Sequence, residues 1–186
     1  MSLQTKKLTL REHAQIHRGM ARDFHRAEIK PFWLILWLRL TGGYGGYGCY
    51  EDGKRAGYML LCRDGEYTLL DYYAIEPEYR SKGYGSAFFR AVCGRLPGLL
   101  LEVEDPAFAQ DGADREKRER RIAFYARNGC AMTALRADVM GEKYCIMTGP
   151  GTTLPPGGPL GPMAGLYRRI FGKRWTREHI RMEEAA

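Results

Sequence analysis

A chain of 186 residues with 45% hydrophobic and 27% charged residues has the size and balance of a soluble globular domain that buries its own core, which excludes a disordered chain. The formal charge of +7 favours an anionic ligand without choosing among nucleic acid, a membrane surface and a phosphate-rich cofactor. Five cysteines without a CxxC pair speak against a disulfide framework or a zinc knuckle and for reduced thiols. No signal-peptide layout opens the sequence, and its longest apolar run, Phe32 to Leu40, is far short of the ~20 residues that span a bilayer, so a cytoplasmic location is expected.

Leu8 to Phe24 carries helix formers, with Leu10, Ala14 and Ile16 as inward positions. Pro31 opens a second helix over Phe32 to Leu40, apolar nearly all round and so expected to pack on a sheet. Thr41 to Gly48 reads as a mobile glycine and tyrosine loop. A meander follows: strands at Tyr47 to Glu51, Ala56 to Cys62 and Tyr67 to Ile75, joined by Asp52-Gly53 and Asp64-Gly65, which tolerate the positive φ of tight turns. Glu76-Pro77 breaks the third strand, Ser81 to Gly85 is a glycine loop, and Ser86 to Gly94 is a helix ended by Pro97-Gly98. Leu99 to Glu104 is a strand. Asp111 to Arg121 reads as a solvated charge run, continued from Arg120 to Arg127 by a helix that Asn128-Gly129 stops. Cys130 to Val139 and Lys143 to Thr148 form a hairpin around Gly141. Thr152 to Pro162 is a Pro/Gly-rich linker, and Leu166 to Arg181 a basic amphipathic helix.

The chemistry concentrates in Arg80-Ser81-Lys82-Gly83-Tyr84-Gly85-Ser86, set between a strand and a helix. Glycines let backbone wrap a ligand, the new helix offers unpaired N–H groups and the positive end of its dipole, and Arg80 and Lys82 add charge. Together they make a pyrophosphate cradle; read alone, the same glycines could serve an ordinary turn. The wider segment LLDYYAIEPEYRSKGYGSAFFRAV, Leu69 to Val92, resembles the central motif of the GNAT N-acetyltransferase superfamily, with Arg80, Gly83 and Gly85 in its Arg/Gln-x-x-Gly-x-Gly/Ala places. RIAFYARNG, Arg121 to Gly129, is similar to that family's Phe-Tyr helix. The resemblance covers roughly Leu8 to Thr148. It implies that the loop amides of Arg80 to Ser86 bind the pyrophosphate of coenzyme A and that the backbone around Ala74 and Ile75 holds the pantetheine arm.

The resemblance also implies the catalytic pair. Tyr125 matches the tyrosine that often acts as acid on the leaving thiolate, the competing reading being a packing residue. Glu102 matches a glutamate that acts as base in some members, within Leu101-Glu102-Val103-Glu104, where strand alternation puts Glu102 and Glu104 on one face. A solvated or salt-bridged pair is the alternative there, and Asp71 is a second candidate base. Many members carry an asparagine shortly after this strand, whereas Asp105-Pro106 and a charged insertion follow here.

Gly43-Tyr44-Gly45-Gly46-Tyr47-Gly48 fits GxGxxG, but a strand follows it instead of the helix that dinucleotide binding needs; it reads as a flexible loop beside the acceptor site. His13, His17, His25 and His179 lie outside the motifs, and no metal is expected.

The expected fold is α/β, a GNAT-type mixed twisted β-sheet flanked by helices on both faces, with a C-terminal helical tail. Residues 1–151 are expected to form the acetyltransferase domain and 152–186 the linker and basic tail. The expected function is transfer of acetyl from acetyl-CoA to a primary amine, in a small molecule or peptide, by direct attack in a ternary complex. No nucleic-acid or membrane partner is expected, and a homodimer is allowed. A non-catalytic acyl-CoA-binding module and a basic nucleic-acid-binding protein are the rival classes.

Overall fold

The computed structural model describes residues 3–185; residues 1, 2 and 186 of the expected domain spans lie outside it. In chain order the elements are β1 (Gln4–Lys7), α1 (Leu10–Gly19), α2 (Phe32–Leu40), β2 (Tyr44–Glu51), β3 (Lys54–Asp64), β4 (Tyr67–Ile75), α3 (Tyr84–Cys93), β5 (Leu99–Glu104), α4 (Gly112–Arg127), β6 (Ala131–Val139), β7 (Glu142–Thr148), α5 (Leu160–Phe171), α6 (Lys173–His179) and β8 (Ile180–Glu184). The eight strands follow the order β1-β2-β3-β4-β5-β7-β6-β8 in a mixed sheet. β4 and β5 pair in parallel, Thr68–Leu70 with Leu99–Leu101, while the β1/β2, β2/β3, β5/β7, β6/β7 and β6/β8 pairs are antiparallel. No helix among the described residues is long and apolar enough to cross a membrane.

Two compact units divide the chain: Met1–Cys62 with Asp71–Val92, and Arg63–Leu70 with Cys93–Ala186. In the first, Thr9 caps α1 by a capping box: its hydroxyl accepts from the Glu12 N–H at 3.3 Å, and the Glu12 carboxylate accepts from the Thr9 N–H at 2.7 Å. The inward residues of α1 are His13 and Ile16, whereas Leu10, expected inside, is 46% exposed because it sits at the first helical position. α2 matches its expected span. It buries Ile35 and Leu38 and leaves Trp33, Trp37 and Leu40 on its outer face, since one helix presents only one stripe to a core.

The expected mobile loop at Thr41 to Gly48 is instead strand from Tyr44 onward, and the glycines explain why. A Cβ on Gly46 would lie 2.4 Å from the Met59 carbonyl oxygen, so only glycine lets β3 come this close. The Asp52-Gly53 turn holds, with φ of 48° and 76°.

In the second unit the charge run is helix from Gly112. Asp111 accepts from the Asp114 N–H at 2.8 Å as its N-cap, a contribution of about 1 kcal/mol. Arg118, 7% exposed, is met by Asp114 at 2.9 Å and Glu142 at 3.0 Å. Most charged residues of α4 are exposed, as the charge run suggests, and one stripe turns inward to bury Arg118 and Tyr125. Beyond the linker, Met163, Leu166, Tyr167 and Ile170 of α5 are fully buried. The tail does not end as a helix. Its last residues form β8, which pairs with β6 from Val139↔Ile180 to Leu135↔Glu184.

His13 makes folding pH-dependent. It is 2% exposed, and its Nδ1 accepts from Arg39 Nη1 at 3.1 Å. Burial first, and the Arg39 charge second, push its pKa from 6.5 down to about 4. Below pH 6.5 the unfolded chain gains a proton that the folded chain refuses, so stability falls as pH drops from 6.5 to 4, by on the order of 3 kcal/mol. Glu12, held down to about 2 chiefly by the Tyr50 hydroxyl, contributes a separate loss between 4.5 and 2. Urea midpoints measured against pH are expected to show both windows, and His13→Gln to remove only the upper one.

Candidate active site

The first unit holds the glycine loop expected to act as a pyrophosphate cradle. β4 ends at Ile75, a turn of 3-10 helix over Pro77–Tyr79 follows, and the chain reaches α3 through Arg80 to Gly83. Ser81 and Gly83 take φ of 59° and 84°, the left-handed backbone that turns successive N–H groups toward one side. α3 begins at Tyr84, two residues earlier than the sequence suggests, so Gly85 and Ser86 lie in its first turn, where N–H groups lack intrahelical acceptors. Ser81, Lys82 and Gly83 are exposed, and a Cβ on Gly83 would meet no protein atom within 4 Å. This geometry suits a ligand with clustered negative oxygens.

The side chains of the loop mostly hold it in shape. Arg80 donates through Nε to the Ile75 carbonyl at 2.7 Å and through Nη2 to Asp23 at 2.6 Å. It therefore braces the loop against the strand end, and its charge is met by the Asp23 carboxylate. Lys82 Nζ donates to the Glu78 carbonyl at 2.7 Å and keeps its whole charge beside the loop. Tyr73 donates to the Gly85 carbonyl at 2.6 Å, stapling the first turn of α3 to β4. The Tyr84 hydroxyl donates to Glu51, and that bond is the leading cause of a pKa pushed up to about 12. Of the two backbone positions expected to hold a pantetheine arm, Ala74 turns its carbonyl toward β3, 2.7 Å from where a Gly57 Cβ would sit. The Ile75 carbonyl lies on the opposite edge of β4, where Arg80 donates to it.

Asp71, the second candidate base, is anchored in the same unit. Lys30 Nζ lies 2.6 Å from Oδ1, the Tyr44 hydroxyl donates to Oδ2, and the carboxylate is 2% exposed. Its oxygens are committed to an ion pair and a phenol, which suits structure better than proton abstraction.

The second unit holds Glu102, Glu104 and Tyr125. Glu102 and Glu104 share a face of β5 and pair through backbone with Ile146 and Tyr144. The two differ in their partners. Arg121 of α4 donates to Glu104 in an ion pair, whereas Glu102 accepts from the hydroxyl of Tyr167. Tyr125 is 7% exposed, and burial is the main cause that holds its hydroxyl well above the usual phenol range. It stays protonated at neutral pH and keeps an O–H able to donate a hydrogen bond.

Tyr167 escaped the sequence reading. Helical spacing marks Leu166 and Ile170 as inward, but the partner of Tyr167 lies 65 residues away and no local pattern points to it. Lys30 and Tyr44 around Asp71 escaped for the same reason, at separations of 41 and 27 residues.

The sequence profile described as the acetyltransferase (GNAT) family matches residues 13–130. No curated protein matches the sequence. Among solved structures, the chain is similar to an acetyltransferase assigned to the GNAT family from Bacteroides thetaiotaomicron, at 19% identity and a TM-score of 0.70, covering 91% of this chain and 99% of that one. It is also similar to the ribosomal-protein-S18-alanine N-acetyltransferase of Escherichia coli (19% identity, TM-score 0.56, 82% and 96% covered). A third is the PaiA N-acetyltransferase of Thermoplasma acidophilum in complex with coenzyme A (17% identity, TM-score 0.53, 81% and 99% covered). At these identities the structural likeness speaks for the fold.

Proposed function

The chain belongs to the acetyltransferase (GNAT) family, whose co-substrate is acetyl-CoA, and from that premise we propose that it acetylates a primary amine by direct attack with both substrates bound. The observation that carries the reading is the cradle: positive φ at Ser81 and Gly83 leading into the N-terminal turn of α3, with Lys82 beside it. Loop and helix N–H groups from Arg80 to Ser86 bind the pyrophosphate of acetyl-CoA. The strand end at Ala74 and Ile75 lies along the pantetheine arm.

An amine reaches neutral solution largely as its ammonium and must lose a proton before it attacks. Glu102 takes that proton, directly or through a water. The amine nitrogen then bonds to the thioester carbon, the C–S bond breaks, and the nitrogen gives up a second proton. The products are the amide and coenzyme A thiol, with one net proton released. Tyr125 donates a hydrogen bond to the departing sulfur. Its raised pKa favours a hydrogen bond over full proton transfer. A thiol titrates near ~8.5, so full transfer from a phenol above ~10 runs uphill by more than about 2 kcal/mol, while hydrogen bonding to the thiolate costs no such step.

The Escherichia coli neighbour is a ribosomal-protein-S18-alanine N-acetyltransferase, which makes peptide amines one acceptor class to try. The test is a panel containing an alanine-initiated hexapeptide, spermidine and an aminoglycoside, with thiol release from acetyl-CoA as readout. At least one amine is expected to accelerate thiol release well beyond hydrolysis. Tight binding of acetyl-CoA with no acceleration by any amine would favour the non-catalytic module.

A further inference from the structure

We propose that Tyr167 is a positioning residue for Glu102, holding its carboxylate in one orientation and in its charged form, so that the C-terminal segment is part of the proton-transfer machinery. The inference rests on the assignment of Glu102 as base. It starts from the hydrogen bond that the Tyr167 hydroxyl donates to Glu102 Oε1.

A phenylalanine at 167 would fill the same volume. A buried hydroxyl costs free energy unless it is hydrogen-bonded, and Tyr167 is 1% exposed. The bond to Glu102 accounts for the oxygen. Burial first and the Glu102 charge second keep this hydroxyl protonated far above the ordinary phenol range, so it donates throughout the working pH. A donor of fixed sign favours carboxylate over carboxylic acid. That preference opposes the partial burial of Glu102, which by itself favours the neutral acid and would disarm a base.

Tyr167 lies on the buried stripe of α5, and the chain beyond it is tied into the sheet. Met163, Leu166 and Ile170 of α5 are at most 2% exposed, α6 follows directly, and β8 then pairs with β6 over five residues. Tyr144 of β7 also acts on the Tyr167 hydroxyl through its charge, and Glu104, on the same face of β5 as Glu102, is met by Arg121 of α4. Arg121 thus meets Glu104, and the Tyr167 hydroxyl is a donor to Glu102.

The experiment is a pH titration of the Glu102 13Cδ resonance in the full chain, identified by its loss in Glu102→Gln. In Tyr167→Phe the midpoint is expected to rise by about one pH unit, the scale of a hydrogen bond to a charged group. A second measurement does not depend on that variant folding. With 3-fluorotyrosine incorporated at 167 in otherwise wild-type protein, the 19F resonance is expected to inflect at the Glu102 midpoint, and the inflection to vanish in Glu102→Gln. A 19F resonance indifferent to Glu102 titration overturns the inference, as does an unmoved midpoint in a folded Tyr167→Phe. Linked titrations together with a Glu102→Gln enzyme that turns over at the wild-type rate overturn the base assignment instead.

Discussion

Glu102→Gln is expected to lower turnover about 10²–10⁴-fold at neutral pH while leaving acetyl-CoA affinity within a few-fold, the range for removal of a general base. Glutamine keeps the volume and still accepts from Tyr167, so the local packing survives. What disappears is a group able to take the ammonium proton. The deficit should be greatest at low pH and shrink as pH rises, because free amine then enters without help. Tyr125→Phe is the companion variant. It removes one oxygen from a residue that is 7% exposed and keeps the ring against its neighbours. Loss of a single donor to developing negative charge costs about 10²–10³-fold. Its deficit should not be rescued at high pH, because the thiolate and not the amine is left unsupported. Initial rates from pH 6 to 9 on the best acceptor, with circular dichroism to establish folding, decide both. Wild-type rates across that range in both variants would sink the assignment.

Gly83→Trp is expected to abolish the stabilisation that acetyl-CoA confers. A ligand at a hundred times its dissociation constant adds about 2.7 kcal/mol, which in a chain of this length raises Tm by about 5–10 °C. At φ +84° any side chain carries strain, and a Cβ meets no protein atom within 4 Å, so an indole there occupies the approach to the loop N–H groups without displacing the fold. Gly83→Ala carries the same backbone strain with far less bulk. Comparing the ligand-induced shift in the two variants separates strain from obstruction. A full shift in Gly83→Trp would remove the loop from the cofactor site.

The parts of the fold that the sequence announced are those with short-range chemistry. Asp52-Gly53 names its own turn, Pro31 starts α2, Asn128-Gly129 stops α4, and β4 and β5 keep the spans that their residue types suggest. The cradle was legible for the same reason, since a strand, a glycine loop and a helix start all fall between Leu69 and Val92. The misreadings share a cause as well. Tyr44 to Gly48 looks like a loop until β3 stands against Gly46, and within the Asp111 to Arg121 run, solvated as expected, Arg118 is the one residue that is buried, with Glu142 against it. β1 gave no signal of its own, because a strand of four residues with mostly exposed side chains is defined by its pairing with β2.

By itself, then, the sequence determined the order of most elements, the glycine loop between β4 and α3 and, through its match over residues 13–130, the family, because backbone conformation and helix capping are decided within a few residues. Only the tertiary structure shows partners that each carboxylate meets. Asp71, Glu102 and Glu104 look alike in the sequence, and they are told apart by Lys30 and Tyr44, by Tyr167, and by Arg121 respectively, partners 17 to 65 residues away. A side chain's protonation and orientation depend on what lies within hydrogen-bonding distance, and for these residues the packing of the whole chain sets that distance.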